Sequence, residues 1–354
     1  MLDLAGYARD GVNCTLFSPR RLGKTSLIWR FQDELRKEGM TTVFVDCFKV
    51  MSVEDLAGRL AKAVYEGIHA RSSLLEKGRR AALKVFSSFR PTFAPTPDGS
   101  IQVDVRPVSG LSGYELLEAS MRELGELMSL ETNGVHMAMD EFQDIVDLDD
   151  GKTEAILRTN IQSQPGSYLF SGSRRSVLRA MFSDPKRPFF RSSMTMDLPP
   201  LPHEALVSYI VNLYEGAGGR ISTEAAASIS QRTGQFPYYA QKLAHLLFGN
   251  GDALAEESVD QGYERLLEDE RYAFQATLEG LTSVQLSVLV GLAHEPGAQT
   301  TSKAFTGARR VSTGGAQKAI KHLKNQDLIE NAEGQGWKLV DPVFGDWLRS
   351  KFGS

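Results

Sequence analysis

Apolar and polar positions fall into blocks along the first 200 residues. Short apolar runs at NCTLF (13–17), TVFVDC (42–47), VHMAM (135–139), SYLFS (167–171) and SMTMDL (193–198) have the length and content of buried strands. Stretches of helical period stand between them. Leu27, Ile28, Phe31 and Leu35 share one stripe, and so do Val53, Leu56, Leu60, Val64 and Ile68. Leu117, Met121, Leu124 and Met128 form a third stripe, and a further helix is expected over 152–164. Five strands alternating with helices predict an α/β fold, a parallel sheet covered on both faces.

The rhythm breaks between Ala70 and Gly113. Residues 71–90 read as a basic helix with Lys77, Arg79, Arg80, Lys84 and Arg90. Two extended runs then flank Pro97-Asp98-Gly99-Ser100, a hairpin turn signal. A helix and a hairpin inserted over about 71–113 are the expectation. From Leu201 to Gly280 the period is helical throughout. From Leu281 the order is helix, short helix, turn, helix, then LIEN (328–331) and WKLV (337–340) around a glycine turn. That is the order of a winged helix-turn-helix. The predicted organisation is an α/β core over 1–200, a helical region over 201–280 and a winged helix domain over 281–354.

Composition changes this picture in a few places. A chain of 354 residues with 42% apolar and 24% charged residues can bury a large core in two or three domains. A net charge of −4 excludes a whole-molecule polyanion binder, so any nucleic-acid contact must be local. Residues 252–279 carry nine acids against Arg265 and Arg271, a face unsuited to nucleic acid, whereas 281–354 is about +3. Cys14 and Cys47 lie in strand-like runs and are expected as reduced, buried thiols. The apolar runs fall short of a membrane span, the N-terminus lacks a signal peptide's layout, and a cytoplasmic protein with no membrane partner is expected. Internal repeats and low-complexity segments are not evident.

The first strand runs into LFSPRRLGKTSLIWRF (16–31), close to the phosphate-binding pattern G-x-x-x-x-G-K-[ST] with Ser18 at the first glycine. In such a loop, here Ser18, Pro19, Arg20, Arg21, Leu22, Gly23, Lys24, Thr25 and Ser26, backbone N–H groups wrap the phosphates before a helix N-terminus. Lys24 is expected on the β- and γ-phosphates, and the Thr25 hydroxyl on Mg²⁺. A glycine turn that merely starts a helix is the plainer alternative. The strand before and the helix after it favour the phosphate loop.

A metal-holding carboxylate should end another strand. VHMAMDEFQD supplies Asp140, expected to hold Mg²⁺ through water, and Glu141, expected to polarise the attacking water. In YLFSGSRRS (168–176), Ser171 or Ser173 is placed to meet the γ-phosphate or the lytic water, and Arg174 to answer phosphate charge. Helix capping by Ser173 and solvated arginines are the plain alternative. Arg191, in RPFFRSS, reads either as an arginine finger acting in trans or as a surface ion-pair partner.

In the C-terminal region STGGAQKAIKHLKN (312–325) reads as a recognition helix. Ala316, Ile320 and Leu323 face the core; Gln317, Lys318, Lys321 and Asn325 point outward and suit a major groove, with Lys324 near the edge. The wing, Ala332-Glu333-Gly334-Gln335-Gly336, holds an acid and no arginine and does not suit a minor groove.

PRRLGKTSL, the strand end DEFQ, GSRRS, PFFR, GQFPYYAQKL and VDPVFGDWL together resemble the archaeal-type ATPase family, grouped with STAND and Orc/Cdc6-like AAA+ P-loop ATPases. The resemblance spans about residues 12–350. It implies an ASCE core with an extra strand between the two Walker strands, then a helical lid and a winged helix. By similarity Lys24 and Thr25 are Walker A, Asp140 and Glu141 Walker B, and Ser171–Arg174 sensor 1. Gly234-Gln235-Phe236-Pro237 resembles the lid motif that brings a proline, here Pro237, near adenine; the residues alone read Pro237 only as a helix start. Two departures stand out. Ser18 implies some strain at the first loop position. Relatives also carry an F-x-G-R-like box before the first strand, where this sequence has only MLDLAGYARDGV, implying a truncated chain or loosely held adenine.

These readings converge on a slow Mg²⁺-dependent ATPase or switch that binds ATP or ADP. Its nucleotide state would govern contact with double-stranded DNA, a protein partner or a second copy. A DNA-binding regulator with a structural nucleotide site is the alternative, and a small-molecule kinase fits less well because no acceptor pocket is apparent. An N-K-x-D base-reading motif for GTP is lacking. In ATPases of this type the winged helix also serves as an internal clamp on the nucleotide core.

Overall fold

The structure is a computed structural model. It describes residues 4–69, 88–95, 101–108, 110–149, 151–248, 257–331 and 336–353. The chain divides into two compact units, residues 1–18 with 24–197, and residues 19–23 with 198–354.

In the first unit five strands form a parallel sheet: β1 (Cys14–Phe17), β2 (Thr41–Asp46), β5 (Val135–Asp140), β6 (Ser167–Gly172) and β7 (Met194–Asp197). Their order is β2-β5-β6-β1-β7. Every residue of β1, β5 and β6 is buried, as central parallel strands covered on both faces require. β6 thus lies between β1 and β5, the place where the family resemblance implies an extra strand. Helices α1 (Leu4–Arg9), α2 (Lys24–Lys37), α3 (Val53–His69), α4 (Gly113–Leu130), α5 (Lys152–Ser163) and α6 (Arg175–Ser183) complete the unit. Their apolar stripes are the predicted ones: Ile28, Phe31 and Leu35 on α2, Leu56, Leu60 and Val64 on α3, and Leu117, Met121, Leu124 and Met128 on α4 are buried. Ser112 begins α4 with a capping box completed by Glu115. The two cysteines are free and buried.

The expected hairpin is present as β3 (Phe89–Pro95) paired antiparallel with β4 (Ile101–Pro107). The basic helix expected over 71–90 lies outside the described residues up to 87, and so does the Pro97–Ser100 turn.

The second unit carries α7 (His203–Gly216), α8 (Thr223–Arg232), α9 (Pro237–Leu247) and α10 (Glu257–Glu279). These continue into α11 (Ser283–His294), α12 (Lys303–Ala308), α13 (Thr313–Asn325), the antiparallel pair β8 (Ile329–Asn331) and β9 (Trp337–Leu339), and α14 (Pro342–Phe352). One apolar core runs through all of it. Phe274 of α10 packs on Phe344 and Trp347 of α14, with ring centroids 5.1 and 5.4 Å apart. The stretches expected as lid and winged helix therefore share a core. Ser302, Ser312 and Asp341 cap α12, α13 and α14 through side-chain oxygens. Most of the wing tip lies outside the described residues. No helix among the described residues is long and apolar enough to cross a membrane.

Candidate nucleotide site

The C-terminal ends of β1, β5 and β6 are level with one another. Leu16 is in register with Ser171, and Met139 with Phe170, so Asp140 and Ser171 emerge side by side. Phe142 and Phe170, 4.6 Å apart, pack with Phe182 and Phe189 directly behind these strand ends. This aromatic cluster fixes the backbone from which the polar side chains project.

Lys24 opens α2 and is only 6% exposed. Its Nζ stands 2.7 Å from Glu141 Oε1 and 3.0 Å from Asp140 Oδ1. Thr25 Oγ1 donates to Asp140 Oδ2 at 2.6 Å, and Ser171 Oγ donates to Asp140 Oδ1 at 2.7 Å. The Glu141 backbone N–H also reaches Asp140 Oδ1. Glu141 has φ of 50°, the left-handed region, which turns its side chain back toward Lys24. Its Oε2 accepts from Ser173 N–H at 3.0 Å, Ser173 Oγ at 2.8 Å and Gln143 Nε2 at 2.7 Å. Burial by itself raises the Glu141 carboxyl; the Lys24 charge and these donors outweigh it and hold it at about 2.

Ser18 is buried, yet its φ is not positive. The first loop position therefore makes no demand for glycine, and the expected strain falls elsewhere, at Arg21 with φ of 68°. Gly23 also lies in the left-handed region, at 81°, with Leu22 between them outside it.

The side chains of the loop part company. Pro19–Gly23 belong to the second unit, where Leu22 is buried in the apolar core. The Arg21 guanidinium pairs with Glu270 at 3.0 Å and Asp341 at 3.1 Å. It also donates to Tyr239 Oη and lies over the rings of Tyr238, Tyr239 and Phe274. Pro237 takes the first position of α9, and a Cβ on Gly23 would lie 3.8 Å from its Cγ.

Of the sequence-stated residues, Lys24, Thr25, Asp140, Glu141, Ser171 and Ser173 come together. Arg174 is turned elsewhere: it bonds Asp144 at 2.9 Å and Asp147 at 2.8 Å. Ser26 and Arg20 are exposed. Arg191 is exposed, with φ of 52°, and lies over its neighbour Phe190. On α13, Gln317, Lys318, Lys321 and Asn325 are exposed, and Ala316, Ile320 and Leu323 are buried, with Ala319 beside them. Sequence reasoning missed Gln143, Asp144 and Gly172. The signal was within reach: an amide and an acid, Gln143 and Asp144, two and three residues after Glu141.

No curated protein matches the chain in sequence. The family described as "Probable winged helix domain" matches residues 272–350. A Walker-type ATPase of Pyrococcus abyssi is similar in structure, with a TM-score of 0.71 and 16% identity over 98% of this chain and 93% of that one. The ORC2 protein of Aeropyrum pernix, in ADPNP–ADP complexes, gives a TM-score of 0.55 at 15% identity over 99% and 92%. The chain therefore has the fold of a P-loop ATPase: a parallel-sheet core, a helical lid and a C-terminal winged helix domain.

Proposed function

We propose that the chain binds ATP with Mg²⁺, hydrolyses it slowly, and uses its nucleotide state to control contact of the winged helix domain with double-stranded DNA or a protein partner. One observation carries this reading: Lys24, Thr25, Asp140 and Glu141, from two segments 115 residues apart, meet at the end of a parallel sheet. The Thr25 hydroxyl and the Asp140 carboxylate are hard oxygen donors that suit Mg²⁺ and would hold it. Bound there, the ion would neutralise phosphate charge. Lys24 answers the β- and γ-phosphates, with the backbone N–H groups of the Ser18–Ser26 loop other than Pro19, which has none, around them. Glu141 orients the attacking water and takes its proton. Ser171 and Ser173 keep the two carboxylates in place and stand ready for the γ-phosphate. Pro237 is assigned to the adenine, and exposed Arg191 is the candidate arginine finger in a homo-oligomer.

For the winged helix, the exposed face of Gln317, Lys318, Lys321 and Asn325 supports DNA contact through phosphates and base edges. Purified protein should carry or take up an adenine nucleotide and turn over ATP, at a rate that changes when duplex DNA is added. Failure to bind any nucleotide would remove the basis of the proposal.

A further inference from the structure

Gln143 is 1% exposed and belongs to the 3-10 turn Phe142–Asp147 that follows β5. Its amide nitrogen donates to two carboxylates, Glu141 Oε2 at 2.7 Å and Asp144 Oδ1 at 2.9 Å. A primary amide has two N–H groups, and both are used here. The reverse orientation would set the carbonyl oxygen against two carboxylates, so the chemistry fixes which end points to Glu141.

This orientation leaves Oε1 buried, with no hydrogen-bond donor among the described residues. A residue kept only for packing at such a place would be apolar or would complete its bonds. Oε1 instead faces Gly172, the last residue of β6. A Cβ at Gly172 would lie 1.7 Å from it. The φ of Gly172 is not positive, so the backbone there would accept any residue. Glycine is required for space, to admit the Gln143 amide.

The two Glu141 oxygens have different partners. Oε1 is held by Lys24, and Oε2 by Gln143 and by two groups of Ser173. A phosphate that draws Lys24 away would release Oε1 alone, with Oε2 still held by neutral donors. Beyond Gln143, Asp144 is bonded by Arg174 at 2.9 Å and by the Lys49 N–H at 2.9 Å.

We propose that Gln143 is a positioning residue for ATP hydrolysis: it anchors Glu141 by Oε2 so that Oε1 is the atom that meets the attacking water, and it ties that base through Asp144 to Arg174. This rests on the ATPase reading of the site and specifies how its base is held.

The test uses the full chain and five variants, one of them Lys24→Ala as a control on the loop. Gln143→Met keeps the volume and removes the donor. Gly172→Ala leaves Gln143 in place and displaces its amide. Gln143→Ala and the double variant Gln143→Ala/Gly172→Ala complete a cycle. Affinity for the slowly hydrolysed analogue ATPγS and thermal midpoint are measured beside kcat and KM for ATP. Gln143→Met and Gly172→Ala should each lower kcat about tenfold or more, with ATPγS affinity and KM held within about twofold. Adding Gly172→Ala to Gln143→Ala should cost no further kcat, because the amide it displaces is already gone. Unchanged kcat in Gln143→Met would overturn the proposal, as would a fall in kcat matched by an equal loss of ATPγS affinity. Additive losses across the cycle would also overturn it. A wild type that binds ATPγS and never hydrolyses ATP overturns it as well, since there is then no base to position. ATPγS binding that survives Lys24→Ala unchanged speaks against the phosphate-loop reading itself, which separates that failure from a failure at Gln143.

Discussion

Lys24 Nζ and Glu141 Oε1 stand 2.7 Å apart, so the cation suited to phosphate and the carboxylate suited to activating water neutralise each other. Both are largely withdrawn from solvent, where such a pair is strong and an unpaired partner is costly. A phosphate entering the loop must compete with Glu141 for Lys24. The same exchange would free the carboxylate as the substrate arrives.

Lys24→Ala removes the cation from both partners. ATP affinity should fall by at least about tenfold, measured by nucleotide titration, because a charge-assisted contact to phosphate is lost. Wild-type affinity in this variant would contradict the assignment of the loop.

Glu141→Gln keeps size and removes the base and the competing charge. Turnover should drop at least about 100-fold, with ATP bound as tightly as in wild type or more so. Single-turnover kinetics beside equilibrium binding would check both halves, and normal hydrolysis would assign the water to another group.

Asp140→Asn should act on metal dependence. Asp140 accepts from Thr25, Ser171 and the Glu141 N–H, so the substitution weakens the oxygen set suited to Mg²⁺. The ratio of ATP affinities with Mg²⁺ and with EDTA should shrink toward one. An unchanged ratio would place the ion elsewhere.

Arg21→Ala tests how much the arginine cluster stabilises the second unit. Glu270 and Asp341 would each lose a cationic partner, at a cost of about 1–3 kcal/mol read as a lower thermal midpoint. An unchanged thermal midpoint would show that the cluster adds nothing to stability.

Lys318→Glu with Lys321→Glu reverses two exposed charges on α13. Duplex binding should be micromolar and strongly salt-dependent in wild type and lost in the double variant, with ATP binding intact. No wild-type binding at low salt in either nucleotide state would end the DNA reading, and a change in ATP turnover from the same variant would favour the clamp.

Much of this molecule was legible along the chain. The strands ending at Phe17, Asp140 and Gly172 are buried on both faces, and continuous apolar runs report that directly. Helical stripes such as Ile28, Phe31 and Leu35 depend on neighbours three and four residues apart, which local periodicity records. That Lys24 and Thr25 meet Asp140 and Glu141 could be anticipated, because both pairs directly follow strand-like runs in the sequence. The exposed face of α13 followed from the same period.

Tertiary structure alone decided the rest. Nothing local to Arg21 announces Asp341, 320 residues away, because that pairing exists only once the loop, α10 and α14 share a core. The absence of strain at Ser18 and its presence at Arg21 follow from backbone angles that the motif does not specify. Gly172 gives no local sign of why it is glycine, and only the Gln143 amide facing it from the turn after β5 gives the missing side chain its reason. Sequence period encodes which face of an element is buried; which polar groups then meet across elements depends on sheet order and register, since strand ends far apart in the chain must first lie side by side.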